Sequence, residues 1–197
     1  GDTKRRYTEV LSEYLLKNIE ELNKIPILKR KTSYEQEHDG TTVRDASNRT
    51  EERIALSMFK KTYAHIGKIL DYQVPLKNVA KDKGIGKIDL LSYDGKYLYI
   101  LELKKPDKPG AKKETLLRCV LETYTYYKTV DTLKLLQDFA LPSNAIVKKA
   151  VFVFADQFAH LNYKEGHPKT RELMSELGVD IFVICGDETT GYEVMLP

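Results

Sequence analysis

Tyr7, Val10, Leu11, Tyr14, Leu15, Ile19 and Leu22 recur every three or four residues, which predicts an amphipathic helix that packs by that stripe. Pro26 ends it. Residues 25–28 have the composition of a short strand, and residues 29–48 turn polar around Asp39-Gly40, as a long loop does. A second helix starts at Thr50, an N-cap residue with Glu51 and Glu52 in the first turn, and its core stripe is Ile54, Ala55, Met58, Phe59, Thr62 and Ile66. On a helical wheel Glu51 projects near the middle of that stripe and Glu52 toward its edge. Residues 70–76 read as a strand. A basic loop through Lys77, Lys81 and Lys83 then leads to Gly84-Ile85-Gly86, whose spacing fits a turn and not a phosphate cradle.

Residues 87–104 change the period from helical to alternating. Two β-rich apolar runs are hinged on Asp94-Gly95, the strongest short-range hairpin signal. With a two-residue loop, Tyr93 would pair with Lys96 and Asp89 would lie opposite Ile100, placing Asp89, Glu102 and Lys104 on one face. Pro106 and Pro109-Gly110 stop the hairpin. A helix over residues 113–130 follows, with Leu117, Val120, Leu121, Tyr124 and Lys128 on one face and Arg118, Glu122 and Tyr126 on the next. Residues 150–155 and 181–185 are continuously apolar, as strands buried on both sides are, and a helix over residues 168–177 separates them. Residues 192–196 supply an edge strand. The predicted class is α/β: a central mixed sheet, opened by a hairpin, extended by parallel strands and flanked by helices.

Composition narrows the function classes. The 197 residues are 42% hydrophobic and 31% charged with a formal charge of +3, so affinity for a polyanion has to come from local clusters such as residues 77–87 and 104–113. Cys119 and Cys185 form no CxxC pair, which points to a reduced, cytoplasmic setting with both thiols buried and inert. No apolar run approaches the length of a membrane span. His38, His65, His160 and His167 have no zinc-binding spacing, and no serine sits in a nucleophile elbow.

The hairpin is the remaining chemistry. Glu102 would be diagonal to the residue opposite Asp89, at about 7–8 Å, so both carboxylates could reach one hydrated cation. The bland reading pairs them with Lys87 and Lys104 as salt bridges.

Asp89 on one strand and Glu102-Leu103-Lys104 on the next, after a helix bearing Glu51 (or Glu52) and before another helix, resemble the PD-(D/E)XK nuclease superfamily. The likeness runs from about Thr50 to Val130. Ile88 stands where the named motif has proline. Glu122 stands where many relatives have the Gln of Gln-x-x-x-Tyr, with Tyr126 kept. The resemblance implies a restriction-endonuclease-like core over residues 49–197, with residues 1–48 as an extension. It also implies a Mg²⁺-dependent endonuclease of restriction or repair type, with Mn²⁺ as a substitute. Asp89, Glu102 and the Leu103 carbonyl would hold the metal, and Glu51 a second ion or a water. Lys104 would orient the attacking water, with Glu52, Glu122 and Tyr126 behind these groups. Lys87, Lys105, Lys108, Lys112 and Lys113 would contact backbone phosphates of the DNA. Tyr124, Tyr126 and Tyr127 offer stacking rings, although helical spacing assigns most of them to packing. Double-strand cleavage would require two sites and hence a homodimer. The alternative is a catalytically inactive nucleic-acid-binding or scaffold domain with the same fold.

Overall fold

The apolar runs predicted as buried strands lie side by side within one seven-stranded mixed sheet. The computed structural model describes residues 5–38, 40, 50–78, 86–110 and 113–197. Asp39, residues 41–49, the greater part of the basic loop with Lys81, Lys83, Gly84 and Ile85, and Lys112 lie outside the described residues. The described elements are α1 (Tyr7–Lys17), α2 (Ile19–Asn23), α3 (Thr50–Met58), β1 (Thr62–Tyr63), β2 (Gly67–Pro75), β3 (Lys87–Tyr93) and β4 (Tyr97–Leu103). They continue with α4 (Leu116–Thr129), α5 (Thr132–Asp138), β5 (Ile146–Phe154), α6 (Phe158–Lys164), α7 (Pro168–Glu176), β6 (Val179–Asp187) and β7 (Gly191–Met195).

The strands follow chain order across the sheet. β1 to β4 are antiparallel neighbours, β4, β5 and β6 run parallel, and β7 returns antiparallel. Each parallel step needs a crossover, supplied first by α4 and α5 and then by α6 and α7. Local chemistry starts the helices of the first crossover: the Thr115 side chain accepts the Arg118 N–H, and the Asp131 side chain accepts that of Lys134.

Period-two alternation sorts the side chains onto two faces. Leu90, Leu101, Leu103, Phe152 and Phe182 pack with Ile54, Ala55 and Met58 of α3. On the opposite face Val151, Val153, Val179 and Ile181 pack with α4 and α7, while Leu91 and Ile100 pack with Tyr34, Leu135 and Leu136. Glu102, flanked in sequence by Leu101 and Leu103 of the α3 face, therefore belongs to the α4 face, whereas the alternation breaks beside Asp89: Leu90 packs on the α3 face but Ile88 packs with Leu91 and Ile100.

Several sequence expectations need correction. The second helix ends at Met58, so Thr62 belongs to β1 and Ile66 to the turn that follows it; Lys60 takes a left-handed φ of 63° and breaks the helical run. Residues 25–28 are not a strand, although Leu28 N–H donates to the Thr129 carbonyl. The short helices α5 and α6 have too few turns to show a period. Cys185 is half-buried, whereas Cys119 is fully buried with its thiol pushed up to about 12, burial being the main cause.

The largest difference is α1. The first half of its apolar stripe faces outward, with Tyr7 66% and Tyr14 63% exposed, whereas Leu15, and Ile19 and Leu22 in α2 beyond the break at Asn18, pack against the core as the stripe predicts; Thr8, Glu9 and Ser12 are buried against α7. The polar face wins because α7 offers it a complete set of partners. Glu9 accepts the N–H groups of Lys169 and Thr170 in the first turn of α7, together with the Thr170 hydroxyl. Ser12 bonds Thr170, and Thr8 bonds His167. Glu9 thus caps another helix from across the fold. Glu9→Ala leaves those amides buried without an acceptor and should cost about 1–3 kcal/mol. Urea unfolding reads this loss, and a wild-type midpoint would show that water replaces the carboxylate.

Candidate active site

The Asp94-Gly95 hairpin forms with its turn one residue later than expected. Tyr93 pairs with Leu98, and Asp94 N–H donates to the Tyr97 carbonyl. Gly95, at φ 102°, and Lys96 make the loop, while the Asp94 side chain accepts the N–H groups of Lys96 and Tyr97. The register is therefore shifted by two residues. An even shift keeps alternating side chains on their face; the paired ladder ends at Leu90 and Leu101, and beyond it the Asp89 carboxylate accepts the Leu103 N–H, which brings it beside Glu102.

Asp89 is held at both oxygens: Oδ1 accepts the Gln73 amide at 3.0 Å and Oδ2 the Leu103 N–H at 3.0 Å. Gln73 carries no hydrophobic or motif signal and escaped the sequence reading. It sits in β2 with φ at 51°, a left-handed strand position that costs energy and is found most often at functional sites. Glu102 is 4% exposed and Lys104 7%. Lys104 Nζ lies 2.6 Å from Glu102 Oε1 and 2.7 Å from Glu122 Oε2. Arg118 binds Glu122 from the other side at 2.9 Å and also pairs with Glu114. Glu102 Oε2 is buried and has no hydrogen-bond partner among the described residues.

This crowding sets the protonation states. Burial pushes the Asp89 carboxyl up to about 7; Lys104 opposes the shift and the Glu51 charge adds to it. Burial also raises Glu102 well above the usual carboxylate range, reinforced by Asp89 and opposed by Lys104. Burial alone would lower the Lys104 pKa, but Glu102 and Glu122 outweigh it and the ammonium is held charged. For Glu122, burial works upward, yet Lys104 and Arg118 keep it below the ordinary range.

The structure gathers Asp89, Glu102, Lys104 and Glu122 into one network. Glu51 reaches its edge from α3, where it accepts the Lys105 N–H at 3.3 Å, and its charge acts on Asp89. Tyr126 is half-buried, with its hydroxyl pKa raised by burial and by the charges of Glu102, Asp89 and Glu122. Tyr124 is core, and Tyr127 carries Lys149 Nζ 4.0 Å from its ring centroid, so the tyrosines of α4 chiefly pack. Lys87, Lys105, Lys108 and Lys113 are exposed around the site. The expected Lys104 salt bridge exists; Lys87 is exposed and does not supply the second one.

Gly86 closes the site from the β3 side. A Cβ there would run into the Tyr126 hydroxyl. Gly86→Ala should displace Tyr126 and destabilise by about 1–3 kcal/mol, measured by denaturant unfolding; an unchanged midpoint would mean that the ring has room to yield.

The donor set suits a hard cation that keeps several waters, since Mg²⁺ is commonly bound through only one or two carboxylates. Asp89 and Glu102 provide the carboxylates, and the partnerless Glu102 Oε2 is an unused buried acceptor. Among the described residues no group of three or more His, Cys, Asp and Glu is placed to hold a metal ion by itself, which leaves the remaining positions to water, backbone and substrate oxygens. His38 pairs with Asp71 and His167 lies beside Glu9, both remote in sequence from the hairpin. No family model, curated protein or solved structure matches this chain.

Proposed function

We propose that this chain is a Mg²⁺-dependent phosphodiester hydrolase acting on DNA, an endonuclease built on a restriction-endonuclease-like core. One observation carries the reading: two carboxylates, Asp89 on the Leu103 N–H and Glu102 on the buried Lys104, are gathered at the end of the β3–β4 hairpin, where burial raises the pKa of both. Burying like charges together is costly unless a cation or a proton offsets them. A central antiparallel hairpin followed by a helix and a parallel strand supports the same reading.

Asp89, Glu102 and the Leu103 carbonyl would hold the ion, with Glu51 at its margin. When bound, Mg²⁺ lowers the pKa of the attacking water and offsets charge on the phosphoryl oxygens. Asp89 is kept in place for this by the Gln73 amide and the Leu103 N–H. Lys104, released from Glu102 Oε1 and retained by Glu122, orients the water and stabilises the negative charge that develops. Tyr126 and Gly86 wall the site beside Glu122.

The Lys104 ammonium between two carboxylates also fits a second reading, an inactive nucleic-acid-binding domain in which the network is purely structural. Incubation of supercoiled plasmid with the protein in Mg²⁺ and in EDTA separates the two. Nicking or linearisation that requires Mg²⁺ supports the hydrolase. Binding without cleavage in either Mg²⁺ or Mn²⁺ supports the inactive domain.

A further inference from the structure

At Gln73 and Asp89 two neighbouring strands change faces at the same level. Tyr72 packs on the α3 face and Val74 on the α4 face, although residues two apart in a regular strand share a side. Across from them Leu90 packs on the α3 face and Ile88 on the α4 face. The pairing continues on either side of the break, Tyr72 with Leu90 and Val74 with Ile88. Gln73 and Asp89 therefore come opposite each other, both half-buried between buried neighbours. The left-handed φ of 51° at Gln73 turns β2 at this point.

Glutamine is a poor choice for that conformation, which glycine and asparagine enter at lower cost. The position gains the side chain: Nε2 donates to Asp89 Oδ1 at 3.0 Å, and among the described residues this is the only hydrogen bond the Gln73 amide makes. Its amide oxygen accepts nothing from them. Glu102 Oε2, on a residue 4% exposed, is the second unused oxygen of the site. The two matter together because a hard cation held through one or two carboxylates keeps several waters, and the hydrogens of those waters need acceptors that hold them in place. A neutral amide suits this task. A third carboxylate at position 73 would add to the repulsion between Asp89 and Glu102, and a lysine would oppose the cation.

We propose that Gln73 is a positioning residue of the cation site, its amide N–H fixing Asp89 and its amide oxygen accepting a hydrogen from a water of the hydrated cation. The left-handed backbone is kept because it delivers both ends of one amide to the place where β2 and β3 change faces. The inference rests on the hydrolase reading for the cation itself, but its test reads binding and does not require turnover.

Mn²⁺ titrated by calorimetry into metal-free protein should bind about 10–100-fold more weakly to Gln73→Ala and to Gln73→Gly than to wild type. The two variants should differ in unfolding midpoint, Gln73→Gly being the more stable, because glycine enters the left-handed region without a Cβ penalty. Gln73→Asn, at ease in that region but one methylene short of Asp89, should bind Mn²⁺ as weakly as Gln73→Gly. In crystals soaked in Mn²⁺ the Gln73 amide oxygen should lie within about 3 Å of a water on the ion. Wild-type affinity in Gln73→Gly, whether or not Gln73→Ala is impaired, overturns the proposal and leaves the hydrolase reading standing, since affinity would then follow the backbone and not the amide. An amide oxygen turned away from every water on the ion overturns it as well. Weakened binding in all three variants, with no substrate cleaved by the wild type in Mg²⁺, keeps the role of Gln73 and removes the hydrolase reading. A wild-type protein that takes up no Mn²⁺ overturns both.

Discussion

Asp89→Ala and Lys104→Ala are each expected to lower Mg²⁺-dependent cleavage of plasmid DNA by about a thousandfold or more, read under single turnover. Asp89 is held at both oxygens by the Gln73 amide and the Leu103 N–H, which fixes its carboxylate beside Glu102. Lys104 is the buried cation that touches Glu102 among the described residues. Its removal has a second consequence: Glu102 and Glu122 lose their shared counter-charge, and stripping one partner from a buried ion pair costs about 3–5 kcal/mol. The variant therefore needs an unfolding curve alongside its rate. Lys104→Ala combined with Glu122→Gln relieves the repulsion and should recover stability without recovering cleavage. Recovery of both would show that Lys104 serves the fold alone. Substitutions at exposed Lys105 or Lys108 should lower the rate only a few-fold, by weakening phosphate contacts.

In metal-free buffer the folded protein should lose stability as pH rises through about 7. The Asp89 carboxyl is raised from its ordinary 3.8 to about 7 in the fold, so the folded state holds a proton that the unfolded chain releases. The stabilisation from this shift is complete below the unfolded value and disappears as pH rises through the folded one. Glu102, raised by burial in the same direction, acts with the same sign. Asp89→Asn should flatten the curve. Mn²⁺ should restore stability above neutrality, by about 3 kcal/mol at a hundredfold excess over its dissociation constant, and by less at about pH 6, where protons compete for the same oxygens. Thermal melts across this range, with and without Mn²⁺, measure both effects. Identical profiles for wild type and Asp89→Asn would mean that Asp89 is fully charged and paired in the fold.

The hairpin face is legible in the sequence because side chains in a strand alternate with a period of two. The turn lies one residue and the register two from expectation, yet Glu102 keeps its side and Asp89 meets it through the Leu103 N–H. The buried strands were legible from continuous apolar runs such as residues 150–155, which fall in β5 and the residue after it. What failed was α1. Its stripe at three- and four-residue spacing is real, but helical periodicity shows only that a helix has two faces, not which face meets the protein. That choice was made by Lys169 and Thr170, about 160 positions away, whose amides needed the Glu9 carboxylate. Gln73 was invisible for a related reason: its role depends on a left-handed backbone in β2 and on the Asp89 oxygen it meets across the sheet. Glu122 was noted only as a departure from a pattern, and its direct grip on Lys104 emerges from the packing of α4 against β4.

The cation site is the step on which the chemistry depends. Crystals grown without divalent metal and then soaked in Mn²⁺ test it by anomalous scattering. The account predicts a peak between Asp89 and Glu102, in contact with Glu102 Oε2, with Lys104 Nζ drawn away from Glu102 toward Glu122. Absence of a peak, with Lys104 still bridging the two glutamates, would contradict it.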